Sequence, residues 1–518
     1  MQPFFNTAGP CIEGEHHMLP PQRRLANALK LIEQKKYFVL RAGRQTGKTT
    51  SARWMVDHLQ KTGRYEALWV DLQTARERND PEDAFPLLFN AFARALEVHP
   101  TLPEVSSKKR DGWLKTPDSS LVDLLSWLSK KSKMPLVLLL DEADGLVGRA
   151  MVSFLTQLRD LYIGRPQRPA PHSLVIVGQR SVRDYILAHE ERNAVAWLGT
   201  TSPFNITAET QTLEPFSQKE VRELLLKHTK VTGQKWSKKA TARVYELGQG
   251  HPWLTNALAE ICVERLVEDR KKRIQSKHVE AAKERMIQER RTHIDSLIAR
   301  LGEPRVRHII EPMLVGESLP VSDIDADLQY VAGLGLIRLH QGQWRVANPI
   351  YREVIPRVLN FSAQTSLPHQ ASWYQKADGK LDMRALMRAW QEFWREDGHL
   401  AAEGFHYREA GPHLMLMAFL QRVINGGGRI DREYALGRGA LDLLVTWKGE
   451  RHVIEVKVRR DERSEGKAVE QVGRYMEGLR VKEGWVVLFD RRTTVGWEEK
   501  VYEREHRRGD ARVSVLGC

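Results

Sequence analysis

The chain has 518 residues, too many for one hydrophobic core, so three or four domains are expected; 42% apolar residues and 14 Trp rule out a disordered chain. A formal net charge of +14 favours a polyanionic partner, because phosphates attract Lys and Arg and release their counterions. Three scattered cysteines (Cys11, Cys262 and Cys518) speak against a disulfide framework or a structural zinc site. No basic stretch followed by an apolar run opens the chain, and no apolar run is long enough to span a bilayer, so a soluble, cytoplasmic protein with no membrane partner is expected.

In chain order, Leu25, Ala28, Leu29 and Ile32 recur at helical spacing and precede an apolar strand at Tyr37–Leu40. Further strands read at Ala67–Val70, Pro135–Leu140 and Leu174–Val177, with helical stretches between them. That alternation predicts a parallel, doubly wound sheet over residues 1–215. Ser217 and Glu220, at capping-box spacing, open a helical region expected over 216–290. Residues 291–360 read as helices and then a hairpin, with strands at Leu336–Leu339 and Trp344–Val346 around a turn at Gln341–Gln343, the pattern of a winged helix. A polar linker and an amphipathic helix carrying Leu386, Trp390 and Phe393 fill 361–404, and a last α/β domain occupies 405–518.

Between the first strand and the next helix lies Ala42-Gly43-Arg44-Gln45-Thr46-Gly47-Lys48-Thr49-Thr50, the context a phosphate-binding loop needs. Backbone N–H groups and the helix N-terminus would present positive charge to phosphates. Lys48 would reach the β- and γ-phosphates of ATP, and Thr49 would hold Mg²⁺. Ala42 stands where the motif's first glycine usually sits. A buried strand ending in Asp141 and Glu142 supplies the carboxylates: Asp141 for the metal, Glu142 to orient water. Arg180 follows a later strand, where related ATPases place a γ-phosphate sensor and where a plain exposed arginine fits equally well, and Gly250-His251-Pro252 interrupts the helical region.

The order of phosphate loop, Asp-Glu strand, Gly-His-Pro and winged helix resembles the STAND and archaeal-type branch of AAA-related ATPases. Phe5–Pro10, Ser202–Ile206 and Ala347–Glu353 are similar to a bacterial family of such ATPases, and the resemblance covers roughly the first 360 residues. It implies that Pro252 lies against the nucleotide and that nucleotide state sets the arrangement of sheet domain, lid and winged helix.

Near the C-terminus, Leu441–Val445 and His452–Val458 read as strands joined by a turn at Lys448–Glu450. Side chains alternate along a strand, so Glu455 and Lys457 share a face that Asp442 of the partner strand can reach. Two adjacent carboxylates repel unless a divalent cation joins them, and hard oxygen ligands suit Mg²⁺ or Mn²⁺. A surface hairpin whose charges face water would give the same spacing. Arg459, Arg460, Arg491 and Arg492 could track a phosphate backbone or form a plain solvated surface.

The pattern resembles the PD-(D/E)xK nuclease superfamily, with Asp442 at its Asp, Glu455 and Lys457 at its Glu-x-Lys, and Leu441 in place of the motif's proline. Glu409, before Gly411-Pro412, matches a further acidic residue of these nucleases, and Gln471 and Tyr475 match a Gln-x-x-x-Tyr signature. The fold expected is therefore multidomain α/β: a P-loop parallel-sheet ATPase core, a helical lid, a winged helix and a restriction-endonuclease-like domain. The resemblance implies an ATP-regulated nuclease acting on DNA in preference to RNA, in prokaryotic defence, and a homo-oligomer assembling with ATP. The rival readings are a nucleic-acid-binding ATPase, or an ATP-driven scaffold, whose last domain binds without cutting.

Overall fold

The computed structural model describes residues 2–179, 207–289, 291–314, 326–359, 374–395, 412–413, 415–417, 419–420, 428–436, 439–459, 463–490, 492 and 495–518. They fall into two units, Met1–His293 with Ser322–Arg338, and Ile294–Val321 with Leu339–Cys518.

The first unit is built on five parallel strands, β1 Tyr37–Arg41, β2 Glu66–Asp71, β3 Leu136–Asp141, β4 Ser173–Gly178 and β5 Thr207–Thr212, in the order β2-β3-β4-β1-β5. Strands apolar on both faces must be covered on both. On one side α1 (Gln22–Glu33) and α2 (Lys48–Lys61) bury Leu25, Ile32 and Met55 against Phe38 and Leu40 of β1 and Leu139 of β3. On the other, α3 (Pro81–Glu97), α5 (Pro117–Lys131) and α6 (Gly148–Gly164) cover Tyr37, Val39, Leu138 and Ile176, with the short α4 (Ser107–Trp113) beside α5. Sequence reading missed β5. Thr-Ala-Glu-Thr-Gln-Thr carries one apolar residue, and an edge position lets a polar segment pair through its backbone alone.

A helical lid follows, with α7 Gln218–Thr232, α8 Lys238–Gly248, α9 Pro252–Ile261 and α10 Ser276–Gln288. The expected capping box is present: the Ser217 side chain accepts from the Glu220 N–H while the Glu220 side chain accepts from the Ser217 N–H. The residues read as a winged helix divide between the units. Beyond α11 (Thr292–Leu301), α12 Pro304–Leu314 and α14 Pro349–Leu359 pack on β7 (Gln343–Val346) in the second, while α13 (Ala326–Gly333) lies in the first. The expected hairpin forms from β6 (Ile337–His340) and β7, turning through Gln341 at φ 49° and Gly342 at φ 74°.

The second unit carries a mixed six-stranded sheet of β8 Gly428–Leu436, β9 Gly439–Trp447, β10 Glu450–Val458, β11 Glu483–Phe489, β12 Tyr502–Arg508 and β13 Ala511–Gly517, ordered β12-β13-β11-β10-β9-β8. The β9–β10 hairpin turns through Lys448 and Gly449, both at positive φ, as the Lys-Gly pair predicts. Helix α16 (Arg463–Leu479) buries Val469, Val472 and Met476 against Val453, Val486 and Val515. The amphipathic helix is α15 (Met383–Phe393); it packs on β13, with Trp390 and the following Trp394 in ring contact with Phe489 at 6.2 and 4.8 Å. Gln391 Nε2 donates to the carbonyls of Tyr502 and Gly517 at 2.9 and 2.7 Å. The helix assigned to the connector thus lies on the C-terminal sheet.

Gly250 fixes the entry to α9. Its φ is +76°, its carbonyl accepts from the Phe216 N–H at 2.8 Å, and an added Cβ would come 1.8 Å from the Phe216 carbonyl oxygen. Gly250→Ala should therefore destabilise the lid by about 2–4 kcal/mol, combining left-handed strain with backbone displacement. Thermal unfolding checks this, and an unchanged melting temperature would contradict the contact.

Candidate functional site

The nucleotide loop leaves the C-terminal end of β1 and enters α2, where open α/β sheets bind ligands. Gly47 at φ +89° and Gln45 at φ 57° make the turn, while Ala42 is not among the residues at positive φ, so its methyl group is accommodated. Lys48 is buried, and its Nζ donates to the carbonyls of Ala42 and Gly43 at 3.1 and 2.9 Å. Burial lowers its pKa, opposed by the charges of Glu142, Asp144 and Asp141. Thr46 Oγ1 closes the loop on the Gly43 carbonyl at 2.7 Å.

Asp141 ends β3 and is buried; it accepts from Trp69 Nε1 at 3.3 Å and from the Glu142 N–H at 3.1 Å, and Thr49 hydrogen-bonds to it. Burial raises the pKa of Asp141 and of Glu142. Glu142 adopts the left-handed conformation, φ 56°, a strained setting that aims its side chain into the acidic cluster. The structure thus brings Lys48, Thr49, Asp141 and Glu142 together. Thr49 and Asp141 are the residues that would hold a divalent cation there, while among the described residues no group of three His, Cys, Asp or Glu is arranged to hold one. Arg180 lies outside the described residues.

Other neighbours were not foreseen. Asp144 joins the cluster and accepts from the Gln179 N–H at 2.9 Å, and Asp71 sits in register with Asp141. Pro252 is buried at the first turn of α9, and the preceding His251 hydrogen-bonds to the Arg44 backbone in the nucleotide loop. His293 Nδ1 donates to Gln45 Oε1 at 2.6 Å and stacks on Trp253 at 4.9 Å. Thr50 Oγ1 accepts from the Cys11 N–H at 3.0 Å, so this side chain holds the N-terminal segment. An added Cβ on Gly43 would come 3.1 Å from the Leu334 carbonyl, just beyond α13. The Gly-His-Pro spacing signalled His251; nothing in the sequence signalled His293.

In the second unit Glu455 has no exposed surface, on a strand flanked by β9 and β11. That excludes a surface hairpin with its charges in water. The β9–β10 register runs to Ile454–Leu443, and beyond it the Val456 N–H donates to Asp442 Oδ2 at 2.9 Å. Burial first, then the Asp442 charge, push the Glu455 carboxyl up to about 7, against the pull of Lys457, whose Nζ lies 2.7 Å from Oε1. The Lys457 ammonium and the Asp442 backbone N–H both reach the Glu455 carboxylate, but neither oxygen is in a well-aligned hydrogen bond. A buried, under-satisfied carboxylate beside a second one is a fitting donor set for a hard divalent cation. Among the described residues no third His, Cys, Asp or Glu completes a metal cluster.

Tyr475 is buried on α16 near enough to Lys457 to shift it, and Gln471 Nε2 lies 3.4 Å from the Tyr475 hydroxyl, so both expected helix residues gather here. Glu409, Arg460 and Arg491 lie outside the described residues. Of the two readings left open for the nearby arginines, neither describes Arg492 and Arg459: Arg492 grips Asp490 through Nε and Nη2, and Arg459 lies 3.7 Å from the same carboxylate.

A family model described as an AAA-like domain matches residues 24–355. The chain belongs to that family. A second model, described as a domain of unknown function, matches residues 385–493. Among solved structures, a Walker-type ATPase of Pyrococcus abyssi is 15% identical, covering 68% of this chain and 99% of its own at a TM-score of 0.45. The Aeropyrum pernix ORC2 protein is 14% identical over 69% of this chain and 98% of its own, TM-score 0.39. The Thermotoga maritima RuvB Holliday junction branch migration motor is 15% identical over 64% and 93%, TM-score 0.33. No curated protein matches.

The AAA-like ATPase domain should be acid-sensitive at its nucleotide loop. Burial lowers His251 to about 4, from 6.5, so the unfolded chain binds the proton more readily. The stabilisation is complete above 6.5 and is lost as pH falls towards 4. His251→Gln should flatten that part of the stability–pH curve, read by chemical denaturation between pH 4 and 7.

Glu455 has the opposite sign. Its folded carboxyl is raised above the usual 4.5, so in chelator the second unit loses stability as pH climbs from 4.5 to about 7. Glu455→Gln should stabilise the metal-free protein at pH 8 by about 1–3 kcal/mol and abolish stabilisation by Mn²⁺. Calorimetry with and without Mn²⁺ checks both; a destabilised variant would contradict the buried charge.

Proposed function

We propose that this AAA-like protein is an ATP-regulated, metal-dependent nuclease that hydrolyses phosphodiester bonds, with DNA as substrate. The observation that carries the reading is Glu455: a carboxylate with no exposed surface, repelled by Asp442 and held 2.7 Å from Lys457, is an expensive arrangement with no packing purpose. Asp442 and Glu455 would hold the cation. A divalent ion there would polarise the scissile phosphate and lower the pKa of a bound water. Lys457 would stabilise negative charge gathering on the phosphate oxygens, and Tyr475 and Gln471 would fix the ammonium's position. The spacing that resembles PD-(D/E)xK nucleases supports the same assignment, as does the net charge of +14.

In the AAA-like domain, Lys48 and the loop backbone would bind the phosphates, Thr49 and Asp141 would hold Mg²⁺, and Glu142 would orient water. His251 and His293 touch Arg44 and Gln45 of that loop, so nucleotide binding there would be felt by the lid. A gated nuclease of this kind suits prokaryotic defence, where cutting must await a trigger.

The test is incubation of plasmid, linear DNA and RNA with Mg²⁺ or Mn²⁺, with and without ATP. Asp442→Ala and Lys457→Ala should each reduce cutting at least ~100-fold, the usual loss of a group acting on the transition state. Lys48→Ala should abolish the ATP dependence and leave the folded nuclease unit intact. Binding without cleavage under every condition would establish the rival reading, in which the last domain only grips nucleic acid.

A further inference from the structure

Four arginines in or next to the lid, Arg243, Arg270, Arg285 and Arg291, each meet a glutamate. One cleft gathers cations that do not. Between α7 and α8 lies a depression of about 790 Å³ whose charged lining is Lys219, Arg222, Lys235, Lys238 and Arg273, with no carboxylate among the lining residues. All five cations are exposed, and among the described residues none has an ion-pair partner.

Separate pieces of backbone bring them together. Lys219 and Arg222 are one helical turn apart on α7, and Lys238 begins α8. The segment between these helices pairs with a distant one: Trp236 bridges to Ile274, through hydrogen bonds from the Ser237 N–H to the Ile274 carbonyl and from the Ile274 N–H to the Lys235 carbonyl, both 2.9 Å. That bridge sets Arg273 beside Lys235, although 38 positions separate them in the chain. The N-terminal turns of α7 and α8 both line the cleft, through Gln218 and Lys238, with their ends capped by Ser217, Glu220 and Ser237. Five exposed cations repel one another unless a polyanion lies among them.

We propose that this cleft binds the phosphodiester backbone of a nucleic acid, without reading its sequence. The inference does not rest on the nuclease reading. Phosphates fit better than an acidic peptide, because the apolar floor offers a peptide little: Leu225 and Trp236 are buried, Trp236 Nε1 is tied to His228 Nδ1 at 3.2 Å, and only Leu226 is exposed. A backbone of regularly spaced charges needs no apolar anchor.

The experiment uses the full chain carrying Asp442→Ala, so that a labelled 20-nucleotide DNA strand and a 20-base-pair duplex stay intact, and measures binding by fluorescence anisotropy across a salt series. Adding Arg222→Gln, Lys235→Gln and Arg273→Gln should weaken binding at least ~10-fold near 0.1 M salt and lower the slope of log affinity against log salt by about 2–3, the counterions of three phosphate contacts. A control with Lys30→Gln, Lys61→Gln and Lys115→Gln removes the same charge from elsewhere on the surface of this unit and should change the slope by less than one such contact, ~0.7–0.9. Equal effects from both triple variants, or an unchanged slope in the first, would overturn the proposal. So would polyglutamate displacing the DNA at equal charge concentration, which would mark an acidic-polypeptide site. Cutting that proves unaffected by Asp442→Ala would count against the nuclease reading and leave this result readable on RNA or DNA protected at every linkage.

Discussion

The second unit is organised around one unfavourable act, the burial of Glu455 next to Asp442. Taking a carboxylate out of water costs several kcal/mol unless charge and hydrogen bonds replace the solvent. Here Lys457 supplies one countercharge, and the carboxyl responds by rising to about 7 rather than ionising freely. The rest of the sheet keeps that tension in place. β10 is flanked on both edges, α16 covers one face, and α15 is bound to the strands beyond it by the Gln391 amide. A sheet with no other demand would place a valine at 455, as it does at 453 and 456.

The nucleotide loop of the first unit solves the inverse problem. Its buried charge is a cation, Lys48, and its neighbours are Asp141, Glu142 and Asp144. Desolvation pushes the Lys48 ammonium down and the Asp141 and Glu142 carboxyls up, and the attraction between the opposite charges works against both shifts, so each side becomes less costly in the presence of the other. The Glu142 backbone accepts a left-handed conformation to remain in the group, and Gln45 does so in the facing loop. Strain at two such non-glycine positions is tolerated because the sheet, buried on both faces, determines where β1 and β3 end.

How much of this was legible follows from where the information resides. Strands such as Leu136–Asp141 announce themselves because a doubly covered strand must be apolar throughout. The turns at Gln341-Gly342 and Lys448-Gly449 are equally plain, since local geometry demands them. Asp442, Glu455 and Lys457 could be proposed from strand alternation, and Gln471 and Tyr475 from the resemblance to a nuclease signature; the structure brings all five to one region. What sequence could not show was the depth: Glu-x-Lys on a wet edge and on a central strand have the same letters. β5 was hidden because Thr207–Thr212 has a single apolar residue and so carries no alternating pattern, and His293 because its contact with Gln45 spans 248 positions.

The distribution of charge completes the argument. A net excess of +14 says only that anions are attracted on average. The structure divides that average into pieces with different behaviour. Arg459 and Arg492, basic residues near the C-terminal cluster, are paired with Asp490, whereas the lid cleft holds five cations with no carboxylate in its lining and, among the described residues, no ion-pair partner. Basic residues next to a candidate catalytic cluster are therefore a poor guide to where a polyanion is gripped. Pairing decides it: a cation already matched by a buried carboxylate would have to give up that partner before it could serve a phosphate, and one without a partner loses only water and a counterion.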